Sequence, residues 1–146
     1  MKKISGIPPQ HTKLRGEVAE LRFMTRAAEL GLRVIKPWGE SSRYDFIVET
    51  GGHFLRIQVK STSCQLGKRF ACALIGSKQK PYTAEDIDLF ALDIVPIDTW
   101  YIIPIQAVCD VRYVVTLSPH NPRSKYAVYK EAWHLLGKET SRPKDK

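Results

Sequence analysis

The stretch Ser41–Thr62, SSRYDFIVETGGHFLRIQVKST, decides the fold. DFIVE and HFLRIQVKST read as two strands, and the Thr-Gly-Gly between them closes a tight hairpin. A strand that covers a core alternates apolar and polar residues and turns its polar face to water. Here Asp45, Gln58 and Lys60 interrupt otherwise apolar runs. Side chains at i and i+2 share a face, so Gln58 and Lys60 point one way while Leu55, Ile57 and Val59 point into the core. Asp45 opens the partner strand and is expected beside Gln58 and Lys60. A carboxylate and an amide oxygen are hard ligands that suit Mg²⁺. A neighbouring ammonium can hold a phosphate or orient an attacking water.

Working outward, residues 14–30 have the spacing of a helix. Leu14, Val18, Leu21, Thr25 and Ala28 form one line; Ala19, Phe23, Ala27 and Leu30 form an adjacent one. Gly31 is placed to stop it. Glu20 lies beside the apolar line, where it can look inward over the sheet. Glu17, one turn earlier, is its rival for that role. Gly16, one turn below Glu20, permits close approach of a backbone or a phosphate.

LRVIK reads as a strand closed by Pro37, and RFACALI, TWYIIPI and VRYVVTLS as further strands. TAEDIDLFALDIV, with a Thr cap and acids in its first turn, is expected to be a helix. So are IQAVCD and YKEAWHLLG, the latter stopped by Gly137. The order implies an α/β domain with a central mixed β-sheet flanked by helices. Residues 1–12 read as a flexible arm, 13–137 as the domain and 138–146 as a polar tail.

Charge is uneven along the 146 residues, whose formal net charge is +8. Residues 1–80 carry fifteen Lys and Arg against six acids. Residues 81–110 carry six acids and no Lys or Arg, and residues 111–146 carry eight basic groups against three acids. The basic half holds the unusual polar trio, so a polyanion such as nucleic acid is the expected partner. Glu85, Asp86, Asp88 and Asp93 read as the solvated face of the acidic helix. No run approaches the roughly 18 apolar residues of a membrane span. The N-terminus lacks the apolar segment of a secretory signal. Cys64, Cys72 and Cys109 show no paired spacing, so reduced thiols and a cytoplasmic location are expected.

The string RGEVAE…GLRVIKPWGESSRYDFIVE…FLRIQVKST resembles the PD-(D/E)XK nuclease superfamily. It looks most like the branch with Q-x-K as third motif, which includes group I intron homing endonucleases. Archaeal Holliday junction resolvases are more distantly similar. The resemblance covers about residues 13–108 and implies a restriction-endonuclease-like core and metal-dependent cleavage of DNA, with Mg²⁺ the cofactor and Mn²⁺ a substitute.

Taken residue by residue, Gly16 and Glu20 match the helix motif, Asp45 the metal-binding Asp, and Lys60 the catalytic Lys. Gln58 stands where Glu or Asp is commoner, and Tyr44 where Pro is. The resemblance thus implies Glu20, Asp45, Gln58 and Lys60 as the catalytic set, with the Val59 carbonyl as a further metal ligand. Lys36, Ser41, Ser42, Arg43, Ser61, Lys78, Lys80 and Tyr82 are the candidates for DNA contacts. Cutting both strands of a duplex needs two such sites, which a homodimer supplies. Gln58 removes one negative charge, so a catalytically impaired DNA-binding module on a nuclease core is the alternative.

Overall fold

The computed structural model describes residues 11–137. The arm and tail expected at the two ends lie outside these residues, except for His11 and Thr12. Helix α1 spans Thr12–Glu29. After it come β1 (Arg33–Ile35), β2 (Phe46–Thr50), β3 (His53–Thr62), β4 (Gln65–Leu66) and β5 (Arg69–Ala73). The described residues continue through β6 (Leu89–Ile94), β7 (Thr99–Pro104) and β8 (Val114–Leu117) and close with two short 3-10 turns. The main sheet runs β1-β2-β3-β6-β7, and a small second sheet runs β4-β5-β8. Only β3 and β6 pair in parallel within the main sheet, which is therefore mixed.

The core has two layers because the central strands are buried on both faces. Ile57 and Val59 of β3, Leu89 and Ala91 of β6, and Trp100 and Ile102 of β7 meet α1. On the helix only one of the two expected lines is buried, that of Ala19, Phe23 and Ala27. Leu14 and Leu21 of the other line are exposed. Phe23 anchors this layer: its ring stacks on Phe46 at 5.3 Å and lies 6.0 Å from Trp100 and 5.8 Å from Trp133. Gly31 adopts φ 78° and ends the helix as the sequence implied.

The opposite face carries Phe90, Leu92, Ile94, Tyr101 and Ile103 and packs on Phe70, Cys72, Val115 and Leu117 of the small sheet. A sheet covers this face where the sequence suggested helices. The expected helix over TAEDIDLFALDIV is one turn followed by a strand. Thr83 and Asp86 do cap that turn: the Asp86 carboxylate accepts from the Thr83 N–H, and the Asp86 and Ile87 N–H groups donate to the Thr83 carbonyl. LFALDI then enters the sheet centre with all six residues buried. A short, mostly apolar run, here broken only by Asp93, is the mark of such a strand and lacks a period that separates it from a buried helix.

The final expected helix is also replaced, by 3-10 turns at Ala127–Tyr129 and Trp133–Leu136. Glu131 sits between them at φ 51° and locks onto β7. Its N–H donates to the Trp100 carbonyl, and its carboxylate accepts from the Trp100 N–H and from Trp133 Nε1. Gly137 does end this segment, at φ 105°, where a Cβ would collide with Thr50.

Candidate active site

The β2–β3 pairing sets Phe46 against Ile57, so the next step along the ladder brings Asp45 against Gln58. The Asp45 N–H donates to the Ile57 carbonyl at 2.8 Å, and Asp45 Oδ2 accepts from the Val59 N–H at 2.8 Å. The carboxylate is thus fixed at the mouth of the hairpin's open end. Alternation along β3 sets Gln58 and Lys60 apart from Ile57 and Val59, which pack into the core with α1.

These residues line one cleft of about 340 Å³ together with Thr12, Arg15, Gly16, Ala19, Glu20, Val59 and Ser61. The first half of α1 forms the facing wall. Glu20 lines that wall while Glu17 does not, and Glu20 pairs with Lys36 at 3.5 Å instead of with an arginine of its own helix. Lys36 also lies 5.2 Å from the Phe46 ring. Thr12 and Arg15 were missed in the sequence. Their signal is the helical spacing that places 12, 15–16 and 19–20 on one face.

Burial pushes the Asp45 carboxyl from 3.8 up to about 6. The Glu20 charge adds to the rise, while the Val59 N–H, Lys60 and Lys36 hold it back. Burial lowers the Lys60 ammonium, against the pull of Asp45. Both charged forms are therefore disfavoured by the same dry wall. Lys60 donates to the Ile75 carbonyl at 3.0 Å and lies 5.4 Å from the Tyr82 ring. Gln58 is buried and donates through Nε2 to the Val59 carbonyl at 3.2 Å. That leaves the amide oxygen as the part of Gln58 that can meet a cation, while the Val59 carbonyl keeps a second lone pair.

The candidate DNA contacts divide. Ser61 lines the cleft and Lys36 reaches it through its ion pair with Glu20, while Ser41, Ser42, Lys78 and Lys80 are exposed at the surface. Arg43 is engaged internally: it ion-pairs with Asp86 at 2.6 Å and donates to the Pro81 and Lys80 carbonyls. Its guanidinium lies 4.2 Å from the Tyr82 ring, which half-buries Tyr82 as well. The acidic run is not a solvated face. Asp86 holds Arg43, Asp88 holds Arg56 at 3.1 Å, and Asp93 is fully buried in β6. Only Glu85 is exposed.

A larger cleft, about 860 Å³, runs between the C-terminal half of α1 and Trp100, Glu131 and Trp133. Its charges are already matched: Arg22 with Asp98 and Asp93, Arg26 with Glu29, and Glu131 with two tryptophan N–H groups. No reactive set converges there, so the smaller cleft is the candidate site. Among the described residues no three His, Cys, Asp or Glu side chains cluster as a metal site. The smaller cleft brings two carboxylates, Glu20 and Asp45, beside the Gln58 amide.

The family described as PD-(D/E)XK endonuclease matches residues 10–136. This chain belongs to that family. Its fold is that of restriction-endonuclease-like nucleases. The bacterial homing endonuclease I-Ssp6803I superposes with a TM-score of 0.72 at 25% identity, over 86% of this chain and 90% of that one. Hjc, a Holliday junction resolvase from the archaeal hyperthermophile Archaeoglobus fulgidus, superposes with a TM-score of 0.55 at 16% identity, over 84% of this chain and 95% of that one. No curated protein matches. PD-(D/E)XK nucleases generally use divalent metals. The oxygens of Asp45, Gln58, Val59 and Glu20 fit a hard divalent cation by their chemistry. No helix among the described residues is long and apolar enough to cross a membrane.

Proposed function

We propose that this PD-(D/E)XK endonuclease hydrolyses DNA phosphodiester bonds in the smaller cleft, with Mg²⁺ as cofactor and Mn²⁺ as its substitute. The observation that carries the reading is the convergence of Asp45, Gln58, Lys60 and Glu20 on one cleft, in which burial raises the Asp45 carboxyl to about 6. Asp45, Gln58 and the Val59 carbonyl would hold the cation, with Glu20 across the cleft as fourth group. When bound, the cation supplies Lewis acidity, drawing charge from a phosphate oxygen and lowering the pKa of water.

The chain's own residues do the rest. The Val59 N–H fixes the Asp45 carboxylate. Lys60 turns from the Ile75 carbonyl to the scissile phosphate, where it orients the attacking water and offsets the growing negative charge. The water oxygen adds to phosphorus and gives a proton to solvent; the bond to the 3′ oxygen breaks and that oxygen takes a proton from solvent, leaving a 5′-phosphate and a 3′-hydroxyl. Lys36 and Ser61 flank the cleft as phosphate contacts, and Ser41, Ser42, Lys78 and Lys80 extend that surface. Two copies as a homodimer would cut both strands of a duplex.

The test is cleavage of plasmid DNA with Mg²⁺ or Mn²⁺. Asp45→Ala and Lys60→Ala should each abolish cleavage while the circular dichroism spectrum is unchanged. Cleavage that survives both substitutions refutes the site.

Gln58 favours one second reading, a DNA-binding module that no longer cuts. Its amide brings one negative charge fewer than a carboxylate, and its nitrogen occupies the Val59 carbonyl. Calorimetry separates the two: DNA binding without Mg²⁺ or Mn²⁺ binding selects the module.

A further inference from the structure

The segment joining β1 to β2 carries a residue that the cleavage reading does not use. Trp38 is 100% exposed, whereas Trp100 and Trp133 are 3% and 7% exposed in the core. An indole offers a large apolar surface and is rarely left wholly in water. Its position gives that exposure a meaning. The segment leaves β1 through Lys36, whose ammonium is 3.5 Å from Glu20, and returns through Asp45. Both ends are therefore fixed at the cleft. Trp38 lies two residues from Lys36, so its Cα is within about 7.6 Å of the Lys36 Cα. Gly39 follows at φ 80°, a turn that a side chain would strain, and Ser41 and Ser42 beyond it are exposed. A bare aromatic ring thus lies in the segment whose two ends meet the cleft, through Lys36 beside Glu20 and through Asp45.

We propose that Trp38 is a base-stacking wedge: when a DNA phosphate enters the cleft, the indole inserts beside the neighbouring base and stacks on it. The inference rests on the endonuclease reading and adds how the substrate is gripped. Phosphate contacts carry no sequence information and hold the backbone. An inserted apolar or aromatic side chain unstacks a base step and bends the duplex, which favours steps that open easily. Every base has a π-face, so the contact tolerates any sequence yet requires bases.

The experiment uses the fluorescence of Trp38, the one solvent-exposed tryptophan of the three. Asp45→Asn protein, bound but not cutting, is titrated with duplex DNA and, separately, with inorganic polyphosphate, a polyanion without bases. Acrylamide then reports access to the indole. DNA is expected to quench and shield Trp38, and polyphosphate to leave it accessible. Trp38→Ala should weaken DNA binding about tenfold or more, keep its melting temperature, and lose the quenching; Trp38→Phe should recover most of the affinity. An indole that stays accessible in the DNA complex overturns the wedge, as does Trp38→Ala binding and cutting like wild type. Shielding that appears without DNA, as protein concentration rises, also overturns it and makes Trp38 a contact between copies. Wild-type protein on the same DNA separates the levels. No binding by wild type removes the endonuclease reading and the wedge together, while normal cutting with an indifferent Trp38 removes only the wedge.

Discussion

Two aspartates, Asp45 at the start of β2 and Asp93 in β6, carry the same electrostatic penalty and solve it differently. Burial raises each from 3.8 to about 6. Asp93 sits on the helix side of the central strand and meets Arg22 of α1, whose Nε approaches Oδ2 to 3.0 Å, off the axis of a good hydrogen bond. Arg22 in turn reaches Asp98 at 2.5 Å. The counter-charge of Asp93 is internal, and the pair ties helix to sheet. Asp45 has a backbone N–H on one oxygen, an acid across the cleft, and a lysine whose ammonium is turned to the Ile75 carbonyl. It opens on a cleft. A buried carboxylate ion-paired to an arginine within the core is structural; one that opens on a cleft, beside a lysine and a second acid, is fit for a cation and a phosphate.

The largest effect expected from this contrast is on cleavage. Asp45→Asn should lower the DNA cleavage rate by about 10³-fold or more, since a lost electrostatic stabiliser at a reacting centre commonly costs 10²–10³ and the cation loses a ligand as well. Asp93→Asn should stay within a few-fold of wild type. Initial rates on one plasmid substrate check both, and equal losses in the two variants would break the contrast. Next comes stability. Arg22→Met leaves the Asp93 carboxylate buried without its partner, which costs about 3 kcal/mol in urea denaturation at pH 8. The cost should shrink at pH 5, where the orphaned carboxyl takes up a proton.

How far the sequence discloses these two residues follows from their surroundings. Asp45, Gln58 and Lys60 are legible because a hairpin has a fixed side-chain period, and polar residues out of phase with an apolar face stand out. Spacing leaves Glu17 and Glu20 as rivals on the helix, and it is Glu20 that shares a cleft with Asp45, Gln58 and Lys60. Asp93 is illegible: its strand is a short run, apolar but for Asp93 itself, preceded by a capped turn, so helix and strand look alike until the parallel pairing with β3 is known. Pairing is also what hides the fate of Arg43 and the acids near it. Arg43 is a plausible phosphate contact by composition, yet Asp86, from 43 residues later, takes it up. The turns at 127–136 depend on Glu131 finding β7, again a long-range contact. Local period and spacing reveal the cleft; the ion pairs that brace it are set by tertiary neighbours.

The smallest effect is the most discriminating. A carboxyl whose pKa is raised on folding stabilises the native state below its unfolded value near 3.8, and that contribution is lost as pH rises through about 6. The stability of wild type relative to Asp93→Asn should therefore fall by about 1–3 kcal/mol between pH 4 and pH 7, and relative to Asp45→Asn it should fall similarly. Mg²⁺ then separates the two sites. A cation held by the Asp45 carboxylate favours its ionised form, so saturating Mg²⁺ should flatten or reverse the slope measured against Asp45→Asn. Asp93 already has Arg22 and no access to the cleft, so its slope should not change. Urea titrations of the three proteins across that range, with and without Mg²⁺, read both slopes. A slope at Asp45 indifferent to Mg²⁺ would place Asp45 in the same structural class as Asp93 and take the metal away from the cleft.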